Sequence, residues 1–273
     1  MKPIKYLNTF DEVRALVNKV REKRIPGILG FEPFRQEYYR GEVSDTFVLK
    51  PSLARNFSDN DTLLKTEQVL MEDFKEQMSF YNKMDKVLLH DNPYQYQNEW
   101  SWLGQAQHYR LPTRMLDWTL KWEVALYFAV EEIPDFNSHD AQFWVFYVPE
   151  EIIMHDGKKD LYFQEDPLKL SKTWFVNPSF FWTDNQANET AETRRARQHG
   201  KFSIQAHSNL LTPLEQQMEL IPHLEKYCIP ADAKGQIRLE LASKGIFGEF
   251  LYAKEDVVIN NIISTLRTKY GLM

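Results

Sequence analysis

Residues 100–130, WSWLGQAQHYRLPTRMLDWTLKWEVALYFAV, contain two helical patterns separated by a polar kink. The first pattern ends at Pro112, because the residue before a proline is disfavoured in the α region. After the kink, Trp122, Ala125 and Ala129 recur at the i, i+3, i+7 spacing of an apolar helix face. We therefore predict two packed helices with the polar residues of the kink between them.

The kink concentrates polar side chains beside these two apolar helices. Buried polar groups cost free energy unless they have partners, so a cluster at this position is a candidate functional site. The alternative is a structural role, in which a buried Arg114–Asp117 salt bridge fixes the kink. The cluster consists of Gln107, His108, Thr113, Arg114, Asp117, Trp118 and Thr119.

Composition and net charge limit the classes of protein to which this chain can belong. The net charge of −6 argues against a protein that coats nucleic acid non-specifically, although it leaves room for a local basic groove. The single cysteine, Cys228, excludes an intrachain disulfide and multi-cysteine zinc sites, and it fits a reducing cytosol. The first residues lack the apolar core of a signal peptide, and no run reaches the length of a membrane span. We expect a soluble cytoplasmic protein without a membrane partner.

The remaining elements follow from capping and periodicity. Thr9 to Glu12 form a capping box that opens a helix, and strands and helices then follow without regular alternation. This arrangement favours an α+β fold with a mixed, mostly antiparallel central sheet flanked by helices. The predicted strands cover 37–41, 142–149, 173–176, 201–205, 224–229 and 248–252, and the further predicted helices cover 61–83, 231–243 and 258–266, with a polar helix starting at Asn188.

Three features outside the kink are candidates for ligand binding. Arg40 stands near a strand end and can present a fixed fork to a phosphate or a carboxylate; the alternative is an ordinary ion pair. Gly41 beside it would let the backbone turn or let a ligand approach closely. The basic run at 194–201 could grip phosphates, or it could be a solvated helix face. No Gly-rich phosphate loop and no GxSxG elbow occur, and no spacing suggests a metal site.

Several motifs together resemble the FRG-domain family, which is named for a Phe-Arg-Gly motif. Here the motif reads Tyr39-Arg40-Gly41, and the resemblance covers about residues 30–260. It implies a single FRG-type domain over 1–273, with an N-terminal helical extension at 1–30, a core at 31–260 and a C-terminal helix at 255–273. The other motifs are Pro51-Ser52-Leu53 with Arg55, Gln107-His108-Tyr109, Leu111 to Arg114, Leu116 to Thr119, Ala125 to Ala129, Arg194 with Gln198, Gly200 and Phe202, Ile229-Pro230, and Gly245-Ile246.

A second, more distant resemblance is to ADP-ribosyltransferases of the Arg–Ser/Thr–Glu type. It implies that Arg40 clamps the phosphates of a dinucleotide and that Asp117 to Thr119 take the place of the second motif. The late motif carries Gln198, which cannot supply the negative charge of the family's glutamate. Asp117 or Glu249 would then be the carboxylate that stabilises developing positive charge.

The two resemblances imply a nucleotide-handling enzyme with NAD as the candidate cofactor and no metal. The alternatives are a non-catalytic nucleotide- or RNA-binding module that uses Arg40 and the basic run, and a protein-interaction module that uses exposed aromatic residues such as Trp182. The implied catalytic residues are Arg40, His108, Asp117, Thr119 and Glu249. The implied cofactor-binding residues are Arg40, Gln107, His108, Arg114, Trp118 and Gln198.

Overall fold

A computed structural model describes residues 5–22, 36–84, 99–154, 166–176, 200–251 and 257–272. In this part of the chain, eight strands form one sheet in the order β1-β8-β4-β2-β3-β7-β6-β5. The β1–β8 and β5–β6 pairs are parallel and the other neighbours are antiparallel, which confirms the predicted mixed, mostly antiparallel sheet. The strands are β1 (Lys5–Tyr6), β2 (Gln36–Glu42), β3 (Met115–Thr119), β4 (Ala141–Val148), β5 (Ile153–Met154), β6 (Trp174–Val176), β7 (Gly200–Ile204) and β8 (Leu224–Ile229).

The helices cover one face of this sheet in two groups. One group, α2, α3 and α7, packs on β3, β6 and β7, and the other, α1, α4 and α5, packs on β2, β4 and β8. None of the described helices is both long and apolar enough to cross a membrane. The helices are α1 (Phe10–Glu22), α2 (Asn60–Met84), α3 (Glu99–His108), α4 (Trp122–Val130), α5 (Lys234–Ser243), α6 (Gly248–Leu251) and α7 (Val257–Lys269).

The predicted capping box at the start of α1 is confirmed. The Glu12 backbone N–H donates to the Thr9 hydroxyl at 3.2 Å, and the Asn8 N–H donates to the Glu12 carboxylate at 2.6 Å. Val13 and Val17 are fully buried on the apolar face that follows. The Thr9 hydroxyl thus satisfies one orphan N–H of the first turn, and the Glu12 carboxylate ties the preceding residue, Asn8, to the start of the helix.

Loops and short 3-10 helices cover the opposite face of the sheet. Alternate residues of the strands, among them Trp118 and Trp144, pack there against Leu49 and Leu214. The Glu215 carboxylate accepts the Leu49 backbone N–H at 3.1 and 3.2 Å and ties two loops together. We call this side the loop face and the other side the helix face.

Burial of Glu215 gives the loop face a predicted pH dependence. Desolvation raises the pKa of its carboxyl above the ordinary 4.5. A carboxyl with a raised folded pKa stabilises the fold fully below the unfolded pKa, and this contribution is lost as the pH rises through the folded value. We expect Glu215→Gln, which keeps the acceptor for Leu49, to flatten the fall in melting temperature above pH 4.5. Thermal unfolding between pH 4.5 and 7 measures this.

The exposed Glu76 provides the control for this measurement. Glu76→Gln should follow the pH profile of the parent chain, since this side chain lies on the solvent side of α2. If Glu215→Gln and the parent show the same slope, the carboxyl does not contribute to the pH dependence.

Gly41 allows a helix, and not a ligand, to approach β2. A β-carbon at this position would lie 1.9 Å from the Ala125 carbonyl oxygen and 2.5 Å from the Ala129 backbone nitrogen, both in α4. The predicted close approach is therefore present, but the α4 backbone occupies the space. Glycine is needed here because no other residue lacks a β-carbon.

Two sequence-based expectations about local structure were wrong. Residues 115–119, expected within the polar kink, form strand β3 in the interior of the sheet, with only Asp117 exposed. Residues 248–252, expected as a strand, begin with the short helix α6. The polar helix expected from Asn188 lies outside the described residues.

Candidate functional site

The side chains of Arg40 and Asp117 leave the sheet on opposite faces. Arg40 lies directly across β2–β4 from Trp144, so it shares the loop face. Asp117 alternates along β3 with Leu116 and Trp118, which both pack on the loop face, so its carboxylate is on the helix face. The two groups are neighbours through the backbone but do not open into one pocket from the same side.

The Arg40 guanidinium joins β2 to β3 where their pairing ends. The register of these strands contains one pair, Tyr39 with Thr119. Beyond that pair, Arg40 Nη1 donates to the main-chain oxygen of Asp117 at 2.6 Å, while Nε and Nη2 both contact Glu42 Oε1 at 2.7 Å. Only 16% of the Arg40 side chain is exposed. A phosphate would therefore have to displace Glu42 to take the same donors.

Arg55 extends this arrangement to a second cation. Its Nη2 lies 3.9 Å from Glu42 Oε1, and its guanidinium lies 5.6 Å from the centre of the Phe47 ring. Burial lowers the pKa of Arg55, Glu42 raises it and Arg40 lowers it further. The Glu42 carboxylate thus contacts the guanidinium groups of both Arg40 and Arg55. Sequence reasoning missed it because the predicted strand ended at residue 41, whereas β2 continues to Glu42 and places it two positions from Arg40 on the same face.

On the helix face, a chain of hydrogen bonds fixes the Asp117 carboxylate. Gln107 Nε2 donates to Asp117 Oδ2 at 2.8 Å, and the Thr113 hydroxyl donates to Gln107 Oε1. The Met115 backbone N–H in turn donates to the Thr113 oxygen at 3.2 Å. These bonds set the orientation of the Gln107 amide. An exposed carboxylate is thereby held in place by a residue of α3.

The other kink residues divide between the two faces. Trp118 is buried on the loop face, where its Nε1 donates to the Ser203 hydroxyl at 2.9 Å. Thr119 is buried on the helix face and accepts the Lys121 backbone N–H at 3.0 Å just before α4. His108 ends α3, half-buried, with its ring edge-on to a neighbouring tyrosine. His108 and Thr119 therefore share the helix side with Asp117, whereas Trp118 does not.

Arg114 pairs with Glu67 of α2, so the alternative in which a buried Arg114–Asp117 salt bridge fixes the kink is wrong. Nε donates to Glu67 Oε1 at 2.7 Å and Nη2 donates to Oε2, with both side chains buried. A planar guanidinium matches a carboxylate in this two-bond geometry. The partner lies 47 positions earlier in the chain, so local spacing could not reveal it.

The remaining site candidates lie wholly or partly outside the residues that the structure describes. Gln198, the basic run at 194–199 and Trp182 are outside the described residues, and of Glu249 only its place in α6 is described. Among the described residues, no group of three or more His, Cys, Asp or Glu side chains could hold a metal ion. Cys228 is buried, and burial raises the pKa of its thiol.

One family model matches a segment of the chain. Residues 35–138 match the model of the FRG domain, which supports the family resemblance for the segment that contains β2, β3, α3 and α4. The match is shorter than the 30–260 span of the motifs. No curated protein and no solved structure matches the chain, and no comparison supports the resemblance to ADP-ribosyltransferases.

Proposed function

We propose that this FRG-type domain binds NAD or a related nucleotide on the helix face and acts on the ribose that carries nicotinamide. The observation that supports the proposal is the exposed Asp117 carboxylate, held by Gln107 within the segment that matches the family. The carboxylate is preorganised because the Thr113 hydroxyl orients the amide that binds it. Preorganised charge of this kind stabilises charge that develops in a transition state.

The proposed reaction breaks the bond between ribose C1′ and the nicotinamide nitrogen. Nicotinamide leaves with the bonding electron pair, and positive charge develops on the ribose beside Asp117. A nucleophile, either water or a group on a target molecule, then bonds to C1′ and loses its proton. His108, at the end of α3, is the proposed ribose contact. Thr119 is buried, so it is the weaker candidate for this role.

Arg40 is proposed here as a positioning residue. Its Nη1 holds the main-chain oxygen of Asp117, so it fixes the backbone from which the carboxylate projects. Contact of Arg40 with a nucleotide phosphate stays a prediction, since Glu42 would have to give way. We further propose a cytoplasmic location, where NAD is available and a single unpaired cysteine is kept reduced.

The test measures nicotinamide release and thermal shift with NAD. Asp117→Asn is expected to lower release by about 10²- to 10³-fold, the effect typical of losing one preorganised electrostatic contact, while the NAD-induced thermal shift persists. Asp135→Asn, at an exposed aspartate outside the cluster, should match the parent chain.

Other outcomes separate the alternatives. A thermal shift without nicotinamide release would favour a non-catalytic nucleotide-binding module. The absence of any shift at millimolar NAD would contradict nucleotide binding altogether. RNA binding, the other non-catalytic alternative, should weaken steeply with added salt if phosphate contacts dominate.

A further inference from the structure

Two cationic side chains lie close together on a short segment after β2. The segment 49–56 passes from the loop face, where Leu49 packs, to the core of the helix face, where Leu53 is fully buried. Lys50 is half-buried between these two anchors, and 38% of the Arg55 side chain is exposed. Packing therefore fixes the backbone of the segment, while both charged groups stay within reach of solvent.

The Arg55 guanidinium is held in one orientation and keeps a donor for an external acceptor. Its Nε donates to the Lys50 carbonyl oxygen at 3.0 Å, and its central carbon lies 5.6 Å from the centre of the Phe47 ring. Nη2 lies 3.9 Å from Glu42 Oε1, which is beyond hydrogen-bond distance. Nη1 makes no hydrogen bond with any residue that the structure describes.

Lys50 has no counter-charge of its own. It forms no ion pair with a described residue, and burial and the Arg55 charge both lower the pKa of its ammonium group. The ligand-free chain thus holds two cations together at a cost in free energy. A bound anion would remove the repulsion between them.

The charged groups that act on one another here leave this part of the loop face positive. They comprise four cations and two carboxylates, a net charge of +2. One carboxylate, Glu42, is already bound by Arg40 at 2.7 Å, and the other accepts a backbone N–H. Neither is placed to neutralise Lys50. The six groups are Arg40, Lys50, Arg55, Lys226, Glu42 and Glu215.

Ser52 adds a neutral donor between the two cations. Its half-buried hydroxyl bonds to no described residue. It has αR backbone angles directly before the 3-10 helix Leu53–Asn56, and residues i and i+3 eclipse in such a helix. Ser52 and Arg55 therefore lie on the same side of the segment. A hydroxyl, an ammonium group and a guanidinium are together a donor set suited to phosphate.

We propose that Lys50, Ser52 and Arg55 bind the dianionic phosphate group of a small phosphorylated molecule. A phosphate group offers three strong acceptor oxygens, one for each donor, and close to two negative charges. Arg40 stays with Glu42 and the backbone of Asp117. The phosphate site is therefore separate from the nucleotide site proposed on the helix face.

Calorimetry and thermal unfolding at matched ionic strength test the proposal with four small molecules. We expect inorganic phosphate and glycerol 3-phosphate to bind saturably and to raise the melting temperature. Dimethyl phosphate, which has one negative charge and two blocked oxygens, should bind at least tenfold more weakly, and glycerol should not bind. The ratio of the first two affinities distinguishes free phosphate from a phosphate ester as the natural ligand.

Single substitutions locate the binding site. Lys50→Gln and Arg55→Gln should each weaken phosphate binding by about tenfold or more, because each loses a charge-assisted hydrogen bond. Lys65→Gln and Arg14→Gln remove exposed charges from α2 and α1 and should bind phosphate like the parent chain. Lys50→Gln should also leave the melting temperature of the ligand-free chain unchanged or higher, since it removes a desolvated charge beside Arg55. A purely structural role of Lys50 would lower it.

Three results would overturn the proposal. If neither inorganic phosphate nor glycerol 3-phosphate binds at millimolar concentrations, the segment holds no phosphate site. If both bind Lys50→Gln and Arg55→Gln as tightly as the parent chain, they bind elsewhere. If dimethyl phosphate binds as tightly as glycerol 3-phosphate, the surface attracts any anion without selecting a phosphate group. None of these measurements involves NAD, so failure here is distinguishable from failure of the proposed nucleotide function.

Discussion

Gly41→Ala is expected to unfold at a much lower temperature than the parent chain, because β2 and α4 leave no space for a β-carbon. The new atom would lie 1.9 Å from one backbone atom of α4 and 2.5 Å from another. Backbone cannot rotate away as a flexible side chain can, so the helix must shift as a unit. The contacts of Ala125 and Ala129 in the core between α4 and the sheet would then loosen.

The expected loss is about 3 kcal/mol or more, at the upper end of the cost of overpacking a core. For a chain of this size the loss corresponds to a fall of roughly 6–12 °C in melting temperature. Urea denaturation followed by circular dichroism measures the free energy of unfolding directly.

Gly235→Ala is the matched control for this substitution. Gly235 lies in the first turn of α5, where an added β-carbon would meet nothing within 4 Å. Alanine is the better helix former, so we expect no loss and a gain of up to about 1 kcal/mol. A Gly41→Ala variant within about 0.5 kcal/mol of the parent would show that α4 does not pack on β2 as described.

Arg114→Met is expected to destabilise the chain by about 3–5 kcal/mol. The substitution leaves the Glu67 carboxylate buried without its partner, and an uncompensated buried charge is far costlier than the intact pair. The double variant Arg114→Met/Glu67→Met should recover most of the loss, because two packed apolar side chains need no charge compensation. Equilibrium urea unfolding of the parent chain, Arg114→Met, Glu67→Met and the double variant gives the interaction free energy of the pair as a double-mutant cycle.

An exposed ion pair provides the comparison. Arg14 and Asp11 lie 2.9 Å apart on α1, with 55% and 68% of their side chains exposed. Arg14→Met should therefore change the free energy of unfolding by less than about 1 kcal/mol. If Arg114→Met costs no more than Arg14→Met, the Glu67 carboxylate must reach water or take up a proton without penalty.

Helices and strands with a clear sequence signal could be predicted, whereas the short elements β3 and α6 could not. Helix α1 begins directly after the N-cap of the predicted capping box, and β4 covers most of the strand predicted at 142–149. Strand β3 was missed because it is five residues long and a charged residue interrupts it, so local pattern alone could not separate it from a loop. Helix α6 was missed because four residues cannot display a helical period and Phe250 favours a strand.

Prediction of the candidate site from the sequence had a similar limit. Sequence motifs singled out Gln107 and Asp117, and the structure joins these two side chains directly. The motifs could not reveal that Arg40 leaves the opposite face of the sheet or that Glu42 already occupies its guanidinium. Which face a side chain takes depends on the register of each strand, and register is set by pairing between distant segments.

The position of β1 at the edge of the sheet has a consequence for synthesis on the ribosome. β1 pairs with Tyr227 and Cys228 of β8, so β1 can dock only after every other strand that the structure describes has been made. At roughly 5–20 residues per second, the nascent segment waits on the order of ten seconds or longer for its template. During that interval the Val13 side of α1 lacks Tyr227 and Ile229 of β8, which complete its apolar cluster in the folded chain.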